Sequence, residues 1–217
     1  MERAVLTGDF VRSRQAGPDV LARGFETLSA AAETLSAWHG APLRPTRFRG
    51  DGWQVYLARP DLSLRSALFV LASLRAAELD IDLRLAVGIG AVERLGDETL
   101  SDADGPAFHA AGAALDAMGR GRRLALAAPG HGPLLEAVTV LLDAIAQGWT
   151  AAQGEALTRS LRPVAPTQAA IADDLGIRQQ SVADRLDAAA FWAVAEALEQ
   201  VEGAWQPCNH QVPRPVN

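Results

Sequence analysis

The stretch "RAVLTGDF", residues 3–10, decides the fold: a short apolar run of strand length that closes on a glycine and an aspartate. Behind it, "PDVLARGFETLSAAAETLSAWH" (18–39) opens on Pro18 and Asp19 and repeats its apolar residues at about 3.6, so a helix is expected. "PLRPTRFRGDGWQVYLA" (42–58) offers two strand-like stretches around Arg49-Gly50-Asp51-Gly52, and Asp-Gly is a hairpin signal because it tolerates positive φ. "DLSLRSALFVLASLRAAE" (61–78) predicts a second helix with Asp61 as its N-cap. "IDLRLAVGIGAVERL" (81–95) supplies a strand, "DGPAFHAAGAALDAM" (104–118) a helix with Pro106 in its first turn, and "RRLALAA" (122–128) a last strand.

The order β-α-β-β-α-β, then α and β, is that of a split βαβ, ferredoxin-like sheet of the α+β class. "APGHG" (128–132) punctuates the chain, and the sequence beyond it reads as helix up to "PCNHQVPRPVN". The expected organisation is a front α+β domain over 1–130, a helical domain over 131–205 and a loose tail over 206–217.

Composition bounds the function. Apolar residues make up 49% of the chain and charged ones 21%, the balance of a globular protein with a real core. No apolar run reaches the ~18–20 residues needed to cross a bilayer, and "MERAVLTGDF" lacks the basic and apolar regions of a signal peptide. A lone cysteine, Cys208, leaves no internal disulfide framework and suits a reducing cytoplasm. The net charge is −6 and every cation is arginine, which argues against broad attraction to phosphate but not against a local basic footprint.

That footprint is expected near the end of the chain. In "PTQAAIADDLGIRQQSVADRL" (166–186), Thr167 caps a helix on which Ala170, Ile171 and Leu175 face inward. Gly176 turns the chain, and a second helix puts Val182, Leu186 and Ala189 on the core side. Arg178, Gln179, Gln180, Ser181 and Arg185 then face outward; with Thr167 and Gln168 they form the candidate contacts to double-stranded DNA. Arg and Gln make bidentate contacts to guanine and adenine edges, and an α-helix fits the major groove. The string resembles the helix-turn-helix of bacterial regulators. From residue 150 onward five arginines face eight acids, so one copy binds weakly and a homodimer reading two half-sites is expected.

At the front, the end of the first strand and the hairpin turn share one edge of a split βαβ sheet, which brings Asp9 near Asp51. Paired carboxylates are hard oxygen ligands suited to Mg²⁺ or Mn²⁺ that also holds phosphates, and Gly8, Gly50 and Gly52 let the backbone approach such a ligand.

"VLTGDFVRSR", "RFRGDGWQV", "RLAVGIGAV" and "GPAFHAAGAALDAM" resemble, in order and spacing, class III nucleotide cyclase and related palm-type domains. The fuller pattern, with the helix-turn-helix behind, resembles the SatD family. The resemblance implies metal positions at Asp9 and Asp51, triphosphate against the backbone of Phe10, Val11 and Arg12, and nucleotide contacts from Arg47, Gly50 and His109. It also carries a departure. The asparagine and arginine that steady the reacting phosphate in cyclases align with His109 and Ala113, and losing such a donor costs orders of magnitude in rate.

The expectation is therefore a DNA-binding transcriptional regulator whose degenerate cyclase-like domain dimerises and senses a nucleotide or metal–phosphate effector. Two alternatives stay open: an active Mg²⁺-dependent nucleotidyl enzyme, and a noncatalytic protein-interaction scaffold. Arg12 and Arg14 are loop cations, "RGRR" (120–123) suits a helix C-terminus, Cys208 with His210 is too sparse for zinc, and the five tryptophans fall mainly on apolar faces.

Overall fold

The computed structural model describes residues 1–48, 50–96 and 99–205; the tail expected over 206–217, with Cys208 and His210, lies outside them. The front half runs β1 (Arg3–Val11), α1 (Ser13–Ala16), α2 (Pro18–His39), β2 (Thr46–Arg47), β3 (Trp53–Leu57), α3 (Ser63–Ala76), β4 (Asp82–Gly90), α4 (Pro106–Asp116) and β5 (Leu124–Ala127). The sheet has the order β2-β3-β1-β4-β5. Its first four strands are antiparallel neighbours in the split βαβ arrangement, and β5 joins parallel to β4.

Strand alternation sorts the two faces. Ala4, Leu6 and Phe10 of β1 join the main core with α2 and α3, while Val5 joins Ala107, Phe108 and Ala111 under α4 on the opposite face. Gly88 allows that second layer: a Cβ there would lie 2.2 Å from the Ala107 carbonyl oxygen and 2.3 Å from the Ala111 nitrogen. The backbone of α4 therefore rests on β4 with no side chain between them.

Asp61 does not cap α3. It sits in a short 3₁₀ turn, Pro60–Leu62, and pairs with Arg59 at 2.5 Å, while Leu62 holds the cap position. The 3₁₀ turn places Asp61 one residue too early to cap α3, "SLRSALFVLASLRA", which is itself buried from Ser63 to Ala72 and again at Leu74. A helix buried on all sides needs cover on all sides, and the sheet and α2 cover only part of it.

The rest comes from the helical region: α5 (Pro133–Gln147), α6 (Ala151–Ser160), α7 (Gln168–Leu175), α8 (Gln179–Ala188) and α9 (Phe191–Ala204). Helix α6 lies on α3, and Gly154 permits the closeness, since a Cβ there would come 2.7 Å from the Ala72 carbonyl oxygen. The position expected for a domain boundary, near 130, falls in the loop between β5 and α5, yet buried residues of both halves form one continuous core. Trp53 and Trp149 are buried in it, whereas Trp192 is 54% exposed.

Candidate anion cleft and helix-turn-helix face

Asp9 faces Arg84 directly across the β1–β4 register. The guanidinium takes both carboxylate oxygens, Nε to Oδ1 at 2.9 Å and NH2 to Oδ2 at 2.5 Å. Directly opposed strand residues have their Cβ atoms close enough for such a pair, and two parallel charge-assisted bonds make it one of the stronger kinds. The hydrogen bonds that Arg84 donates to Asp9 raise its pKa above the ordinary value, and partial burial opposes that shift.

Asp51 accepts a hydrogen bond from the Ser13 hydroxyl. Both aspartates line one cleft of about 510 Å³, as the sequence expects from their topology, together with Phe10, Val11 and Arg12. The far wall is the loop Met118–Arg123 between α4 and β5. Five arginines line the cleft: Arg12, Arg84, Arg120, Arg122 and Arg123. Three of them have carboxylate partners, Arg84 on Asp9, Arg122 on Asp143 and Arg123 on Asp82. Arg12 and Arg120 are exposed and make no side-chain ion pair among the described residues. Arg12 also stands at φ 63°, left-handed for a residue with a Cβ, a conformation that costs roughly 1–2 kcal/mol.

As placed, Asp9 gives both carboxylate oxygens to Arg84 and Asp51 accepts from Ser13, so Mg²⁺ or Mn²⁺ held by the two aspartates would have to displace Arg84. Such a cation is held through one or two carboxylates, with waters and substrate phosphates completing its octahedron, and at Asp9 a guanidinium already supplies positive charge. No group of three or more His, Cys, Asp or Glu suited to a metal occurs among the described residues.

Three sequence candidates, Arg47, Gly50 and His109, lie outside the cleft lining. Arg47 stacks over the Phe25 ring at 3.8 Å and reaches the Gly50 carbonyl oxygen at 3.3 Å, outside the cleft lining. Gly50 itself forms the hairpin turn at φ 78°. His109 is 75% exposed on α4 and pairs with Asp104 at 2.9 Å. The loop arginines Arg120–Arg123 carry much of the site's charge; the sequence signal was "RGRR" behind a helix, which does not reveal that the loop folds back towards the end of β1.

In the helical region Thr167 caps α7 by accepting from the Ala170 nitrogen at 3.2 Å. Gly176 turns the chain at φ 64°. The inward side of α7 is Ile171 and Ala172, with Leu175 half-buried; Ala170 is exposed, so the helix is rotated from the expected phase. On α8, Val182 and Leu186 are buried, and Ala189 just beyond it closes the core. Arg178, Gln179 and Gln180 are exposed at the start of α8, and Ser181 and Gln168 are half-buried. Arg185 turns inward instead, bonding Glu155 at 2.8 Å and the Ala152 carbonyl at 3.2 Å on α6. Gln180 donates to Asp184 at 2.9 Å, one turn along.

No protein-family model and no curated protein matches this chain. Solved structures similar to it include a bacterial light-regulated adenylyl cyclase, 15% identical with a TM-score of 0.43 over 58% of this chain and 43% of that one. They also include the guanylyl cyclase Cya2, 15% identical with a TM-score of 0.40 over 58% of this chain and 74% of that one. The chain thus matches less than half the length of the first. The similarity is distant and concerns the fold alone: an α+β domain with a mixed five-stranded sheet, followed here by a helical region. Among the described residues no helix is long and apolar enough to cross a membrane.

Proposed function

We propose that this chain is a DNA-binding regulator that acts as a homodimer, and that its front domain holds a phosphate-bearing ligand without turning it over. The observation that carries the first part is the start of α8. Arg178, Gln179 and Gln180 are exposed there in succession, behind a left-handed glycine turn and over a core of Ile171, Val182 and Leu186. Short helices with Arg and Gln at the N-terminal end suit the major groove. Asp174, which would repel phosphate, is partly neutralised by Arg159 at 2.7 Å. Selection from a random duplex library at low salt should enrich one motif. Arg178→Ala and Gln179→Ala should each weaken the selected complex by about 1–3 kcal/mol. A library that yields no motif overturns the reading.

The ligand reading rests on five arginines around two already partnered aspartates in a protein of net charge −6. Such a cleft favours phosphate oxygens, which guanidinium groups grip in pairs. A nucleotide is the leading class. Calorimetry with each nucleoside triphosphate in the presence of a chelator should show binding, and Arg120→Ser should weaken it. Asp9→Asn should strengthen it by releasing Arg84. Binding that vanishes with the chelator would favour the two-aspartate metal reading instead. Chromatography after incubation with Mg²⁺ or Mn²⁺ is expected to show unchanged nucleotide.

A further inference from the structure

Among the described residues Asp143 is the only buried acid, 3% exposed on the inner side of α5 beside Thr139, Leu142 and Ala146. A carboxylate in such a place is costly unless its oxygens find donors. Its Oδ1 accepts from the backbone nitrogens of Arg123 and Leu124, each at 3.0 Å. Its Oδ2 lies 3.4 Å from Nε of Arg122. Three consecutive residues of the front half therefore converge on one side chain of the rear half.

Those residues end the loop that forms the far wall of the anion cleft. Within the loop, the Arg122 nitrogen donates to the Gly119 carbonyl at 3.2 Å and closes a four-residue turn. Gly121 is its third residue at φ 87°, the left-handed position that a type II turn requires. Arg120 is its second residue, exposed at the apex. The wall thus carries its unpaired cation on a short turn. Beyond the turn the chain has little slack: Arg123 is held by Asp82 at 2.5 Å, and Arg122 NH2 by the Leu124 carbonyl at 2.8 Å.

Asp143 does more here than balance a charge. Its contact with the Arg122 guanidinium is the longest of the three, and the two shorter bonds go to uncharged backbone groups. Such bonds neutralise nothing; they fix where the loop lies. Guanidinium groups grip phosphate oxygens with a defined geometry, and donors held in place beforehand spare the cost of ordering them on binding.

We infer that Asp143 is a positioning residue for the anion cleft: it reaches from the rear helical region and fixes the loop that presents Arg120. The cleft is therefore completed by the rear half and does not belong to the front sheet alone. This rests on the reading of the cleft as a phosphate site.

The test is calorimetry of the full chain with inorganic pyrophosphate in the presence of a chelator. Asp143→Asn keeps an oxygen for the two backbone nitrogens and frees Arg122, so it should bind no more weakly than wild type. Asp143→Ala has the same net charge but no acceptor, and should bind ~10-fold more weakly than Asp143→Asn, the worth of one charge-assisted contact. Asp143→Glu keeps the wild-type charge, pushes the acceptor out by one carbon and should also bind more weakly than wild type. Hydrogen exchange without any anion should find the Arg123 and Leu124 amides slow in wild type and Asp143→Asn, and fast in Asp143→Ala.

Equal affinities of the Asn and Ala variants, in a chain whose wild type binds pyrophosphate, overturn this inference alone. If Asp143→Ala does not fold, unchanged affinity in Asp143→Glu or fast exchange at Arg123 and Leu124 in wild type does the same. A wild type that ignores pyrophosphate overturns the phosphate reading and this inference with it.

Discussion

Arg65 of α3 and Glu202 of α9, 137 residues apart, meet in a two-pronged ion pair of 2.6 and 3.0 Å. A third Arg65 nitrogen donates to the Leu161 carbonyl at 3.2 Å. The arginine side chain is 8% exposed and the glutamate 20%. A cation therefore lies within the buried helix of the front half, and its partner comes from α9. Breaking one side of a buried pair leaves the other charge uncompensated.

Arg65→Ala is accordingly expected to cost about 3 kcal/mol of folding stability, read by urea unfolding. Changing both partners together, Arg65→Met with Glu202→Leu, should cost much less, since no lone charge is left behind. Equal losses in the two variants would show that the pair is not the source of the effect.

Gly88→Ala should be among the most damaging single-methyl additions in the chain. The new carbon has no flexible neighbour to push aside, only the backbone of α4 at 2.2 and 2.3 Å. Lifting that helix from β4 is expected to cost more than about 3 kcal/mol, the upper end for overpacking. Gly112→Ala, with nothing within 4 Å of the added carbon, is the control that should stabilise slightly.

His39 makes stability depend on pH. It is 5% exposed, its Nδ1 accepts from the Arg59 nitrogen at 3.2 Å, and its Nε2 donates to the Ser66 hydroxyl at 3.0 Å. Burial first, and the Arg59 charge second, lower its pKa from 6.5 to about 4. The unfolded chain thus binds a proton more readily than the folded one between those values. Its contribution is fully present above pH 6.5 and is lost as pH falls towards 4, by at most about 3 kcal/mol. His39→Gln should flatten that part of the stability profile, measured by urea unfolding at a series of pH values.

Arg12→Gly should separate stability from ligand binding. Glycine adopts φ 63° without a Cβ clash, so the variant is expected to gain up to about 1 kcal/mol in unfolding free energy. It should at the same time weaken nucleotide binding, because one of the two exposed cleft cations is gone. Unchanged affinity would remove Arg12 from the site.

The strands and helices of the front half were legible because apolar runs alternate with glycine and proline at each turn. Asp9 and Asp51 were placed on one cleft by topology alone. What the sequence hid was the partner of Asp9. Arg84 is 75 residues away, and only the β1–β4 register sets the two side chains opposite each other. Similarly, a helical period tells which side of α8 faces out, but not that α6 lies beside it to claim Arg185. The one-residue error at Ala170 has the same origin: a short helix with several alanines fixes its phase poorly, and packing against α6 and α8 chose Ala172 instead.

The envelopment of α3 has a practical meaning for the gene. A fragment ending at residue 130 would present a greasy rod to water where α6 used to rest, with Arg65 stranded among leucines. Such a piece should come out of cells as inclusion bodies, and any swap of the rear half between relatives has to carry a matching groove for that rod.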